Sequence, residues 1–254
     1  MDYLPSWVIF ILTILISVCL FEGGFRLGNY RRKRSKAESK APLSSIMGAT
    51  LGLLAFTLAF TFSLAASRFL ERRDLVLTDA NAIETTYRRA EYLPEPNQTI
   101  IRDLLREYVA IRNPSGDLAQ LKQIIERSEQ LQNKLWAQAV VIAKSSPNSV
   151  VAGLFIQSLN EMFDLHAKRV MTGAIIRIPD LIWAMLCFVV VLSMVGMGYY
   201  SGLTGARSVI INLAMILTFS GVVFLIADLD NSQGGFVRVS QQPMLDLLKK
   251  ISPS

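Results

Sequence analysis

The chain has 254 residues, 52% of them hydrophobic and 18% charged, with a mean hydropathy of +0.38 and a formal net charge of +6. A soluble globular chain averages about 45–50% apolar and about 25% charged residues, so this balance excludes a water-soluble enzyme, a disordered chain, a collagen-like repeat and a disulfide scaffold. The segment Arg31-Arg32-Lys33-Arg34-Ser35-Lys36-Ala37-Glu38-Ser39-Lys40 holds six basic residues and one acid, so the excess charge is local and describes no nucleic-acid surface.

A hydrocarbon core about 30 Å thick takes about 20 apolar residues in a helix. Four runs are long enough: Tyr3 to Phe21, Ala41 to Ser67, Leu181 to Ala206 and Ser208 to Ala227. They predict an all-α integral membrane protein with four transmembrane helices in two hairpins. The first run lacks a basic n-region and an A-x-A site, so it reads as a retained helix and not a cleaved signal. Cys19 and Cys187 lie inside apolar runs and read neither as a staple nor as metal ligands.

Between the hairpins lies a polar block, about Arg68 to Arg177, whose apolar residues recur at helical spacing. Examples are Ile100, Ile101, Leu104, Leu105, Tyr108 and Val109, then Leu118, Leu121, Ile124 and Ile125. Pro94 and Pro96 interrupt one helix, and Asn113–Asp117 and Ser145–Asn148 read as turns. The block is expected to be several amphipathic helices, some continuing the membrane helices as stalks. The predicted organisation is a first hairpin over 1–69, with helices at about 4–28 and 43–68 around a basic loop 30–40. A polar helical domain over 70–177, a second hairpin over 178–228 and a tail over 229–254 follow, the tail holding a small amphipathic helix from Met244 to Ile251. An even number of spans places both termini and the polar block on one side of a cell membrane. Lys and Arg counts in the short loops place that side outside the cytoplasm.

Candidate chemistry is sparse. His166 is the single histidine, so no multi-histidine metal site exists, and no G-x-S-x-G or P-loop is present. No enzyme, cofactor or metal is therefore expected. His166 reads either as a pH-sensitive group near the membrane surface or as a packing or solvated histidine. The loop Asp228–Gly234 alternates acids and small residues, but no bidentate Glu follows at calcium-loop spacing, and a helix end with a glycine turn accounts for it.

The second run is more informative. Phe56 and Phe60 lie one turn apart below Gly52, beside a stripe of Gly48, Gly52, Ala55, Ala59, Ser63 and Ala66. One reading is close helix packing within lipid. The other puts the two phenylalanines around an oligomer axis, where rings of apolar side chains gate a pore by dewetting. The run ends in Arg68, Glu71, Arg72, Arg73 and Asp74, spaced as helical neighbours. These read as a solvated stalk or as a charged vestibule in which arginines favour anions.

Over nearly its whole length the chain resembles the bacterial bestrophin-like family of membrane proteins. The matching stretches are Gly52–Arg73, Asp79–Ile83, Tyr87–Pro96 with Pro94 and Pro96, Arg106-Glu107-Tyr108, Arg177–Trp183 with Pro179 and Trp183, and Asp230 through Gly235 to Ser240. Ser232 departs from the family's proline, which loosens one turn. The resemblance implies kinship with bestrophins, pentameric ion channels with four membrane helices per subunit. It implies a neck at Gly52, Phe56 and Phe60, with Arg68 the arginine that follows eight residues later. Gly52 has no side chain to form a ring, and the calcium clasp of animal bestrophins has no counterpart, so calcium gating is not implied. Bestrophins hold their helical part in the cytosol, opposite to the loop-charge reading. The expected function is a homo-oligomeric channel for small ions in a lipid bilayer. The alternative is a non-conducting, membrane-anchored scaffold acting through its helical domain.

Overall fold

The computed structural model describes residues 6–34, 40–112, 118–175, 177–205, 208–231 and 235–252. Every regular element among them is helical: α1 (Ser6–Arg34), α2 (Lys40–Ala90), α3 (Asn97–Ala110), α4 (Leu118–Ser145), α5 (Val150–Val170), a π turn (Met171–Ile175), α6 (Asp180–Thr204), α7 (Val209–Asp230) and α8 (Gln242–Ile251). Four of these, α1, α2, α6 and α7, are long and apolar enough to cross a membrane. The protein is thus an all-α membrane protein with two helical hairpins and an intervening helical domain. The turn at 113–117, the Arg207 loop and residues 232–234 lie outside the described residues.

Two helices differ from their expected lengths. α1 stays helical through Arg34, so four residues of the expected basic loop form its last turn. Their positive charge opposes the negative end of the helix dipole there. α2 runs 51 residues, about 75 Å, far beyond a bilayer's thickness. Nothing breaks it after Gly52 until Leu93, which precedes Pro94 and is therefore disfavoured from helical geometry. Its threonines return their hydroxyls to the preceding turn, as in Thr57 to the Leu53 carbonyl at 2.8 Å and Thr61 to Thr57 at 2.8 Å. That satisfies them where no water is present.

The chain divides into two compact units, 1–68 with 177–237 and 69–176 with 238–254. In the first, α1 packs on α6 and α7. The α1–α6 contact is built on glycine. A Cβ at Gly24 or Gly28 would strike the carbonyls of Val195 or Tyr199, and one at Gly198 or Gly202 those of Phe21 or Phe25. Backbones this close gain dispersion contacts along their whole length, which is the main attraction available between helices in lipid.

The second unit has its own core. α2 contributes Val76, Ala80, Ile83, Tyr87 and Ala90, α3 contributes Ile101, Leu105 and Tyr108, and α4 contributes Leu131, Leu135, Ala139 and Ile142. Phe155, Leu159 and Met162 from α5 and Met244, Leu247 and Ile251 from α8 complete it. Of the expected face of α3, Ile101, Leu105, Tyr108 and Val109 are buried, Leu104 is half-buried and Ile100 is exposed, while Leu121, Ile124 and Ile125 are only half-buried and α4 enters the core through its second half. Ser149 caps α5 by accepting from the Ala152 amide at 3.2 Å. Arg106 fastens α8 by donating to the Ile251 carbonyl at 2.8 Å, and both Arg102 and Arg106 donate to the Tyr87 hydroxyl at 2.8 Å.

Candidate functional site

Within the first unit, α2 has two faces. Met47, Leu54, Leu58, Thr61 and Ala65 recur at intervals of seven, four, three and four residues, one helical face, and are buried. Gly52, Phe56 and Phe60 lie on the other side, the two rings 69% and 53% exposed. Gly48 and Gly52 have open space where a Cβ would point. Gly48 and Gly52 of the small-residue stripe on α2 therefore meet nothing among the described residues, in contrast to the α1–α6 glycines. Both phenylalanines are left for lipid or for a second copy.

Further along α2 the expected charged residues take different roles. Arg68 is half-buried, Arg72 is buried, and Glu71 and Arg73 are exposed. Glu71 lies 3.7 Å from the Lys168 ammonium of α5. Of the two arginines beyond Glu71, Arg73 alone offers its charge to solvent.

The motif residues of the connections are anchors. Pro94 and Pro96 separate α2 from α3, and Pro179 immediately precedes α6. The Pro179 carbonyl accepts from the Ile182 amide at 2.9 Å and from Trp183 at 3.4 Å, starting the helix. Buried Asp230 accepts the Ile178 amide at 3.1 Å, which ties the start of the second hairpin to its end. Asp228, also buried, accepts the Phe236 and Val237 amides at 2.8 and 2.9 Å. Gly235 lies against that carboxylate, where a Cβ would come within 2.8 Å of Oδ1. These acids are thus occupied with backbone amides. Among the described residues no group of three or more His, Cys, Asp or Glu side chains is placed to hold a metal ion.

The second unit holds a polar centre that sequence spacing did not reveal. Asp79 of α2 is fully buried, and its Oδ2 accepts from Arg169 of α5 at 2.8 Å and from Arg112 beyond α3. Arg112 also contacts Nδ1 of His166 and donates to the Tyr108 hydroxyl at 2.6 Å. Gln132 of α4 donates to the same hydroxyl at 3.1 Å, and Arg169 donates to Gln241 beside α8 at 2.6 Å. One carboxylate and its arginines therefore gather side chains from five helical segments. A guanidinium only donates, so Nδ1 of His166 is the acceptor and the ring proton sits on Nε2. Burial, then the Arg112 charge, pushes His166 down to about 4, and burial pushes the Tyr108 hydroxyl up. Asp79 and Arg112 lie 33 residues apart and His166 lies 54 beyond Arg112, so no local pattern joins them. The available signal was charge at positions that helical periodicity assigns to a buried face: Asp79 stands between Val76, Ala80 and Ile83.

Comparison with known proteins places this architecture. The Bestrophin-like domain model matches residues 20–244. No curated protein matches the chain. Among solved structures, a point variant of a bacterial bestrophin homologue from Klebsiella pneumoniae is 18% identical, with a TM-score of 0.69 over 95% of this chain and 96% of that one. A further structure of that bacterial homologue is 19% identical, with a TM-score of 0.66 over 95% of each chain. A third, described only as a membrane protein variant, is 18% identical with a TM-score of 0.69, covering 95% of this chain and 96% of its own.

Proposed function

The chain belongs to the Bestrophin-like family, and from that premise we propose that it assembles as a ring of identical subunits and passes small ions through a neck on α2. Family membership supports a membrane channel. The ring, the neck and the ion are this reading's own additions. The observation that carries it is the exposed face of α2, with Phe56 and Phe60 one turn apart beside glycines that meet nothing. A helix that only faced lipid would have no use for backbone laid bare at Gly48 and Gly52. A ring of copies would cover that backbone and turn the rings inward, narrowing the path to an apolar constriction that gates by dewetting. Gly52 would then mark the wider mouth of the neck, and Phe56 and Phe60 its tight part.

Arg68 and Arg73 would favour anions at the end of the neck, with exposed Glu71 and Asp74 opposing them. The loop-charge rule places the basic end of α1 in the cytoplasm and the helical unit outside. The scaffold alternative, resting on the apolar faces over 100–109 and 118–125, is less favoured for the first, whose Ile101, Leu105 and Tyr108 are buried in the unit's own core, while Leu121, Ile124 and Ile125 of the second stay half-buried.

The test is ion flux into liposomes holding the purified chain, with oligomer mass measured on the same preparation. A stable oligomer of three or more subunits carrying chloride or sodium flux is expected. A monomer or dimer without flux would overturn the proposal.

A further inference from the structure

The last turn of α1 carries Arg31, Arg32, Lys33 and Arg34, all exposed. No acidic residue occurs over 23–37 or over 181–227, so neither this part of α1 nor the α6–α7 hairpin supplies a carboxylate to Arg32, Lys33 or Arg34. The basic turn continues an exposed apolar surface of a helix long and apolar enough to cross a membrane. Leu12, Leu15, Ile16 and Leu27 are exposed along α1, and Tyr30, 52% exposed, follows where the charge begins. An apolar stripe, then a tyrosine, then cations is the order of a bilayer from its core through its interface to its phosphates.

The cations are also held in place. Arg34 stacks on the Tyr30 ring with its guanidinium carbon 4.6 Å from the centroid. Arg32 donates to the Asn29 side chain at 2.9 Å. Its guanidinium lies over Gly205, which ends α6 with φ of +76°, and a Cβ at Gly205 would strike it. Each guanidinium has five donors, and one contact of this kind leaves the rest for planar, bidentate pairing with phosphate oxygens.

We propose that this end of α1 binds the headgroups of anionic phospholipids, with Arg32 and Arg34 as positioned donors and Lys33 as a mobile one. The source is lipid and not free phosphate, because the charges cap an exposed apolar surface of a helix long and apolar enough to cross a membrane. The proposal is independent of whether the protein conducts.

The test uses the full-length protein in detergent, titrated with water-soluble dihexanoyl phosphatidylglycerol and dihexanoyl phosphatidylcholine, with binding read by thermal shift and native mass spectrometry. The glycerol lipid is expected to bind at least about tenfold tighter than the choline lipid, weakening as salt rises from about 0.1 M to about 1 M. Lys33→Gln with Arg34→Gln should lower its affinity about tenfold or more, since each basic side chain near an anionic surface is worth about a fivefold factor. Lys33→Arg should keep it, and so should Arg88→Gln with Lys250→Gln, which removes the same charge from the other unit. Equal binding of the two lipids, or undiminished binding by the charge-removed variant, would overturn the proposal. So would displacement of the lipid by inorganic phosphate at equal concentration.

Discussion

Asp79 accepts from Arg169 at 2.8 Å through the same carboxylate oxygen that accepts from Arg112, so one fully buried acid on α2 holds two guanidinium groups from elsewhere in its unit. Taking three charges out of water is costly, and their mutual attraction only offsets that cost while the set is complete. Asp79→Ala removes the negative charge and leaves buried Arg112 and part-buried Arg169 without it. It should lower the unfolding free energy by about 3–5 kcal/mol, seen as a reduced denaturation midpoint in detergent. A midpoint within error of the parent would show that the centre contributes nothing to stability.

His166 makes that stability depend on pH. Its folded-state pKa, about 4, lies below the ordinary 6.5 because burial and Arg112 disfavour the imidazolium. A proton on Nδ1 would point at a guanidinium that cannot accept it. Above pH about 6.5 the ring is neutral folded or unfolded, and the protein has its full stability. As pH falls from about 6.5 towards 4 the unfolded chain takes up a proton that the folded one refuses, and stability is lost at up to about 1.4 kcal/mol per pH unit. The thermal midpoint should fall across this window more steeply in the parent than in His166→Gln. Parallel curves for the two proteins would refute this account.

Phe56 and Phe60 supply the direct test of the neck. In the proposed ring, replacing both with alanine would remove two rings from each subunit, widen the constriction and ease its wetting. Liposome flux should rise several-fold. Because both rings are exposed in the single chain, its own fold should tolerate the change, with a midpoint close to the parent's. Unchanged flux in a correctly assembled double variant would count against a neck at these positions.

Gly198 lies where α6 meets the Phe21 carbonyl of α1. Gly198→Val would push the two backbones apart and should cost at least about 1–3 kcal/mol, the usual penalty for overpacking. Gly52→Ala adds a methyl group where the chain has open space, and should leave the monomer's stability unchanged while perturbing assembly. A denaturation series on both variants, with oligomer mass for the second, checks the pair.

Asp228 tests the hinge after α7. Alanine there would strand the Phe236 and Val237 amides and should cost about 1–3 kcal/mol in thermal stability. Protease cleavage beyond residue 237 should become faster in the variant, and an unchanged cleavage rate would show that the clamp is dispensable.

Much of this architecture was legible in the residue order. Twenty apolar residues in a row have few stable arrangements outside a membrane-crossing helix, because lipid offers no partner to a bare peptide group. Spacing by three and four residues likewise marked the inner face of α3, since a helix repeats its direction at that interval. Pro179 acts just as locally, its carbonyl accepting amides three and four residues on, whereas Gly235 meets Asp228 seven residues back.

What tertiary structure alone decided is which of several equivalent patterns would be used. Small residues line both α1 and α2, but only those on α1, opposite Gly198 and Gly202 of α6, are filled by a neighbouring backbone. Composition cannot distinguish a stripe that meets its partner from one that does not. The Asp79 centre depended on tertiary structure altogether. A buried charge is tolerable only when its counter-charges arrive from distant positions in the chain, and the meeting of Asp79, Arg112, His166 and Arg169 is set by how α2, α3 and α5 pack, not by any spacing along the sequence.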